Sequence, residues 1–266
     1  MSTSSEAAVP EGWWLEDEGV RHPRGGWSPS GDRGARSDGA FGRALRSLWL
    51  AYQPIVRARD GSVIAHEALV RSDEPALGDP VALFGAAGRR GRRLRLSRAI
   101  RALLAADLAS TPGDVFANLG PEDLEDESLF DRGGPLAPFA ERVVLEITEQ
   151  APLDRVPDLS GRISRLRDLG FRLAVDDLGA GYAGHVSLAI LEPEIVKLDM
   201  SLVRGVDREP ARREVVRSTA RLCRRLGSLV VAEGVETRAE RDTLIELGCD
   251  ALQGFFFARP ARVRAL

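Results

Sequence analysis

The stretch "IVKLDMSLVRGVDREPARREVVRSTARLCRRLGSLVVAEGV", residues 195–235, decides the fold. It opens and closes on short runs rich in Val, Ile and Leu, "IVKLD" and "LVVAEGV". Between them Val216, Ala220 and Cys223 recur at helical spacing. A helix of this length returns the chain to the end of the sheet where the first strand began, so the two strands run parallel. Lys197, inside the first run, is the single lysine among 37 Lys and Arg residues. Asn118 is the single asparagine. Lysine offers a compact ammonium where arginine offers a planar fork, so a lone lysine in an arginine-rich chain points to a site that needs a point charge.

The same alternation extends in both directions. Six further strand-like runs are "LWLAYQPIV", "VIAHEALV", "DVFANL", "RVVLEIT", "RLAVDDL" and "DALQGF". Helical spacing recurs at Leu96, Ile100, Leu103 and Leu104, and at Leu244 and Leu247. Eight such units predict a TIM-like (β/α)8 barrel rather than an open sheet. Only "RARDGS" separates the first two strands, and its Asp-Gly is a hairpin signal. One antiparallel strand near the start follows, because parallel neighbours need a longer crossover.

The chain has 266 residues, 44% of them hydrophobic, with a net charge of -3. That balance gives no global attraction to nucleic acid or to an anionic membrane, and no apolar run approaches the roughly 20 residues of a membrane span, so neither DNA binding nor a span is expected, and a cytoplasmic location is. The densest basic run, "GRRGRRLRLSR" at residues 88–98, is read as a solvated helix face or an arginine edge beside an anionic pocket. Cys223 and Cys249 sit in apolar surroundings and read as reduced core residues. Residues 1–45, rich in Gly, Ser, Pro and charge, read as a disordered or regulatory tail, and residues 46–266 as the folded domain. Trp13, Trp14 and Trp27 in that tail suit docking onto the domain or onto a protein partner.

In a barrel, functional groups gather at the C-terminal strand ends. Those ends carry Glu67, Asn118, Glu146, Asp176, Asp177, Lys197, Glu233 and Gln253. Each has an ordinary explanation as a cap, a turn residue or a satisfied hydrogen-bonder. Together they set five carboxylates at one mouth, where mutual repulsion raises pKa values until protons or cations compensate. Oxygen ligands without His or Cys favour a hard ion, Mg2+ or Mn2+. The adjacent Asp176 and Asp177 suit a pair of ions, an arrangement used in phosphoryl displacement.

The motifs "YQPIV…HEALVR", "FANL", "LEITE", "VDDLGAGYAG", "IVKLD", "VVAEGVET" and "LGCDALQGFFFARP" resemble, in order, those of the EAL-domain cyclic di-GMP phosphodiesterases. The resemblance implies metal-dependent hydrolysis of cyclic di-GMP to linear pGpG. By the same resemblance Glu67, Asn118, Glu146 and Asp176 ligate one metal, and Asp176, Asp177 and Glu233 a second. Lys197, Glu233 and Glu67 take catalytic roles, with Lys197 contacting the attacking water. Arg71, Gln53 and Gln253 bind substrate, while Glu149, Glu236 and Asp199 support the site. Such domains often pair as homodimers through helices near the metal loop.

The chain departs from the family pattern at "DDLGAGYAG", where Leu178 replaces an aromatic residue and Ala180 a hydroxyl. His66 is expected to face away from the metal, since strand neighbours alternate sides. His185 is expected in solvent. The rival reading is a non-hydrolytic cyclic di-GMP receptor or interaction module, which loss of a metal ligand would favour. A third, an unrelated lyase with Lys197 as base, fits the residues but not the motif order.

Overall fold

A computed structural model describes residues 39–109, 113–149, 151–180 and 184–262. Helix α1 (Gly39–Arg46) leads into β1 (Leu48–Arg57), and a short turn leads into β2 (Val63–Ser72). The turn is the expected Asp60-Gly61. Gly61 takes φ +71°, and the Asp60 carboxylate accepts from Ser62 N at 3.0 Å and Ser62 Oγ at 2.6 Å. β1 and β2 pair antiparallel with Gln53 opposite Glu67.

Beyond β2 every crossover has room for helix. α2 (Pro80–Arg89) and α3 (Arg93–Leu108) lead to β3 (Asp114–Asn118), and α4 (Pro121–Leu124) leads to β4 (Val143–Thr148). α5 (Leu159–Leu169) leads to β5 (Arg172–Leu178), and α6 (Gly184–Leu191) to β6 (Ile195–Leu198). α7 (Met200–Val203) and α8 (Pro210–Leu226) precede β7 (Leu229–Ala232), and α9 (Arg238–Leu247) precedes β8 (Ala251–Leu252). β2 to β8 are parallel neighbours in chain order, and β8 closes antiparallel onto β1. The result is the expected closed eight-strand barrel with one antiparallel strand.

Two features differ from the sequence reading. A ninth strand, β9 (Ala261–Arg262), pairs with β1 at Ala51 and Tyr52. Arg262 secures it, stacking 3.9 Å from the Trp49 ring centre and pairing with Asp73 at 2.7 Å. The second concerns the domain boundary. Helix α1 falls almost wholly within the stretch assigned to the tail, yet Phe41 and Ala44 are fully buried and Arg43 pairs with Glu74 at 2.7 Å. The packed domain therefore begins no later than Gly39, because one turn of apolar residues is enough to dock a short helix on a preformed core. Trp13, Trp14 and Trp27 lie outside the described residues.

The large apolar core lies between the barrel wall and the helices. A second, smaller cluster fills the barrel interior with one residue from each strand: Ile55, Ala65, Phe116, Val144, Ala174, Ile195, Val231 and Ala251. Part of the basic run is ion-paired with the acidic segment after β3. Arg93 meets Glu122 at 3.0 Å, and Arg98 meets Asp126 at 2.7 Å. Arg101, further along α3, reaches both Asp123 and Asp126. Cys223 and Cys249 are buried free thiols whose pKa values burial pushes up to about 11 and about 12. No helix among the described residues is long and apolar enough to cross a membrane.

Candidate functional site

The site grows out of the period of two along each strand. Counting two residues from the apolar interior layer toward the mouth leads from Ile55 to Gln53, since β1 runs the other way, and from Ala65 to Glu67. The same step leads from Phe116 to Asn118, Val144 to Glu146 and Ala174 to Asp176. It also leads from Ile195 to Lys197, Val231 to Glu233 and Ala251 to Gln253. Side chains two apart share a face, so a polar layer of eight residues sits directly on an apolar floor. The residues expected at the strand ends are thereby brought together.

Lys197 is its centre and has no exposed surface. Its Nζ lies 2.5 Å from Glu146 Oε1, 2.6 Å from Glu233 Oε1, 3.0 Å from Asp176 Oδ1 and 3.7 Å from Glu67 Oε2. These are ion pairs by distance. Among the described residues Lys197 Nζ, Glu146 Oε1 and Asp176 Oδ1 have no aligned hydrogen bond, so the ammonium meets the carboxylates as a point charge. Burial alone would strip its proton, but the four acids outweigh that and hold its pKa well above the usual value.

One ammonium does not balance four carboxylates, three of them buried and the fourth, Glu233, partly exposed. Burial, and then repulsion from Glu67 and Asp176, hold Glu146 well above the carboxylate range despite the pull of Lys197. Glu233 is pushed up to about 8, chiefly by burial. Asp177 is pushed up to about 6 by burial and by its neighbours Asp176 and Asp199.

Adjacent strand residues ordinarily point to opposite faces. Asp177 escapes that rule with φ +58°, where the β5–β6 register breaks after Val175. Oxygens of Asp176, Asp177 and Glu233 come within 4.8 Å of one another. An all-oxygen donor set, buried acids with raised pKa values and acceptors lacking aligned donors fit a hard divalent cation.

The amides bind the acids together. Asn118 Nδ2 donates to Glu67 Oε1 and Glu146 Oε2, each at 3.4 Å, and Gln253 Nε2 donates to Glu67 Oε2 at 2.6 Å. The remaining expected residues surround this cluster. Glu149 is buried, receives Gly179 N at 3.3 Å and so braces the turn after β5. Leu178, in place of the family's aromatic residue, is buried there. Asp199 caps α7 through Ser201 N at 2.9 Å, and Glu236 pairs with Arg204 at 2.5 Å. Arg71 sits half-buried on β2 and donates to the Val70 carbonyl at 2.9 Å; burial lowers its pKa, against the opposing pull of the Glu67 and Asp79 charges. Gln53 is buried, with its amide held by Gln253 and by the Ala258 carbonyl. His66 is buried, its pKa pushed down to about 4 by burial, on the strand face opposite to Glu67. The side chain of His185 lies outside the described residues.

Sequence reasoning missed Glu240. Its carboxylate accepts from Gly205 N at 2.9 Å and from Glu236 N and Thr237 N at 3.0 Å, which fastens the loop after Glu233. The capping-box pattern Thr237-x-x-Glu240 was the available signal.

The sequence profile described as EAL domain matches residues 40–260. The chain is 34% identical over 241 residues to the cyclic di-GMP phosphodiesterase NbdA of Pseudomonas aeruginosa, covering 84% of this chain and 30% of that protein. Among solved structures it is similar to Klebsiella pneumoniae BlrP1 in a manganese and cyclic di-GMP complex, with TM-score 0.73, 33% identity, 82% of this chain and 57% of that one covered. It is also similar to the PaMucR phosphodiesterase in complex with c-di-GMP, with TM-score 0.73, 28% identity, 82% of this chain and 98% of that one covered. The chain spans about a third of the length of the first curated relatives it matches.

Proposed function

The chain belongs to the EAL domain family, and from that membership we propose that it is a phosphodiesterase that hydrolyses cyclic di-GMP to linear pGpG. The observation that supports this reading most directly is the polar layer, which gathers Glu67, Asn118, Glu146, Asp176 and Glu233 around Lys197, with Asp177 brought beside Asp176 and Glu233. Glu67, Asn118, Glu146 and Asp176 would hold one Mg2+ or Mn2+ ion, and Asp176, Asp177 and Glu233 a second. Such ions supply a hydroxide-like nucleophile at neutral pH and neutralise charge on the phosphate.

The chain's own residues supply orientation and proton handling. Among the four acids around Lys197, the Glu233 side chain is the most exposed at 17%, so it is the one placed to take the proton of an attacking water. As the water oxygen bonds to phosphorus, the bond to the leaving 3′-oxygen breaks and that oxygen acquires a proton from solvent. Lys197 keeps the cluster from flying apart electrostatically and offers its remaining donor capacity to the water. Arg71 on β2 presents a guanidinium to a phosphate oxygen. The apolar floor below the layer excludes water from beneath, which strengthens every charge interaction above it.

Homodimer formation belongs to the same proposal, supported by exposed Val186, Ile190 and Met200 on α6 and α7. So do a cytoplasmic location and a protein-partner role for the residues before Gly39. The deciding experiment is incubation with cyclic di-GMP with and without Mg2+ or Mn2+, with chromatographic separation of products. A linear dinucleotide formed only with metal supports the proposal. Tight binding without cleavage moves the protein to the receptor class.

A further inference from the structure

Between β8 and β9 the chain leaves the barrel wall. β8 pairs with β1 at Val56 and Arg57, β9 pairs with it at Ala51 and Tyr52, and residues 253–260 loop out between the two. Gln53 lies on β1 at this gap, is 8% exposed, and has both ends of its amide engaged. Its Nε2 donates to the Ala258 carbonyl at 3.0 Å, and its Oε1 accepts from Gln253 Nε2 at 3.1 Å. The same Gln253 nitrogen donates to Glu67 Oε2 at 2.6 Å.

Two groups that can only accept set the direction of this series. A carbonyl oxygen takes only the NH2 end of Gln53, and a carboxylate takes only the NH2 end of Gln253. Reversing either amide would set donor against donor or acceptor against acceptor. With Asn118 Nδ2 on Oε1, Glu67 is then gripped through both oxygens. Gln253 Oε1 is left buried with no hydrogen-bond partner among the described residues, a spare acceptor at the carboxylate layer.

We propose that Gln53 is a positioning residue for Glu67, acting through Gln253. It reads the Ala258 carbonyl of the looped-out segment and turns that fixed point into one orientation of the Gln253 amide. This inference rests on the metal reading of the site, and it gives Gln53 a role other than the substrate contact that the resemblance implied. A side chain held at both ends by protein groups transmits orientation. Each end spends one of its two hydrogen-bonding capacities on a protein group, which fixes the amide in a single orientation.

The test is Mn2+ titration calorimetry on the full chain without nucleotide, for wild type, Gln53→Met, Gln253→Met and the double variant, with KM for cyclic di-GMP measured at saturating Mn2+. Loss of such an outer partner lowers metal affinity by about 10–100-fold. Gln53→Met is expected to weaken Mn2+ binding by about tenfold or more, and the double variant to match Gln253→Met alone, as for two residues in one series. KM stays within about twofold, since no substrate contact is removed. Gln53→Asn, polar but too short to span both partners, gives the same loss and serves if the methionine variant does not fold. Unchanged Mn2+ affinity with a raised KM would make Gln53 a substrate contact and overturn the proposal, as would additive losses in the double variant. A wild type that binds no Mn2+ would sink the metal reading itself and this inference with it.

Discussion

Lys197 Nζ stands 2.5 Å from Glu146 Oε1, and both side chains have no exposed surface. A buried pair of this kind is costly to form and costlier to break, because the survivor keeps an uncompensated charge in a low dielectric. Its position under the mouth, with three more acids within 3.7 Å, makes it the electrostatic keystone of the site.

Lys197→Arg is expected to retain the barrel and its charge balance while losing most hydrolysis, by about a hundredfold or more, the range of a misplaced proton-handling group. A planar fork cannot occupy the point where four carboxylates converge. Circular dichroism with a steady-state assay checks this. Turnover near wild type would remove the explanation of the lone lysine.

Metal binding should strengthen with pH. Without metal, Asp177 holds its proton up to about 6 and Glu233 up to about 8, both above their ordinary values. The folded chain then binds protons that the unfolded chain has lost, so the metal-free protein loses stability as pH rises from about 4 to about 8. A cation takes the carboxylate form and displaces those protons, so its affinity rises about tenfold per pH unit per proton released. The thermal shift produced by a fixed Mn2+ concentration is expected to grow from pH 6 to pH 8; a flat profile would show that neither acid yields a proton.

Arg101 is buried between Asp123 and Asp126, and Asp123 also receives Gly120 N at 3.0 Å, just after Asn118. Removing one partner of a buried ion pair costs about 3–5 kcal/mol. Arg101→Met is expected to lower unfolding free energy by about that amount. Urea denaturation at pH 7 measures it, and a loss below about 1 kcal/mol would class the contact with ordinary surface pairs.

Gly254 lies against the loop between β7 and α9. A Cβ there would stand 2.1 Å from Val235 O and 2.3 Å from Val235 N, which are backbone atoms with no rotamer to yield. Gly254→Ala should therefore shift the segment that carries Gln253 and Ala258. We expect lost stability together with weakened Mn2+ binding, read by thermal melting and calorimetry.

Much of this was legible in one dimension. The alternation of apolar strands with helical spacing specified the barrel, and the "RARDGS" connection was too short for anything but a hairpin, so β1 had to be antiparallel. The site was legible for a related reason. Each of the eight barrel strands carries an apolar residue and, two places nearer the mouth, a polar one, and a period of two puts both on the interior face. Lys197 and Asn118 stood out as the sole members of their types.

Other features depend on distances that no local pattern encodes. Gln53 and Gln253 are 200 positions apart, and only closure of the barrel makes them partners. β9 and α1 are short segments at the ends of the domain, held by Arg262 on Trp49 and by Arg43 on Glu74, contacts that exist once the core is built. The left-handed Asp177 could not be read from "VDDLG", since alternation would have sent its carboxylate to the other face. The sequence by itself determined which residues share a face, because that follows from backbone period alone. The tertiary structure decided which faces meet and which way each amide points, because those follow from packing and from the acceptors that packing brings within reach.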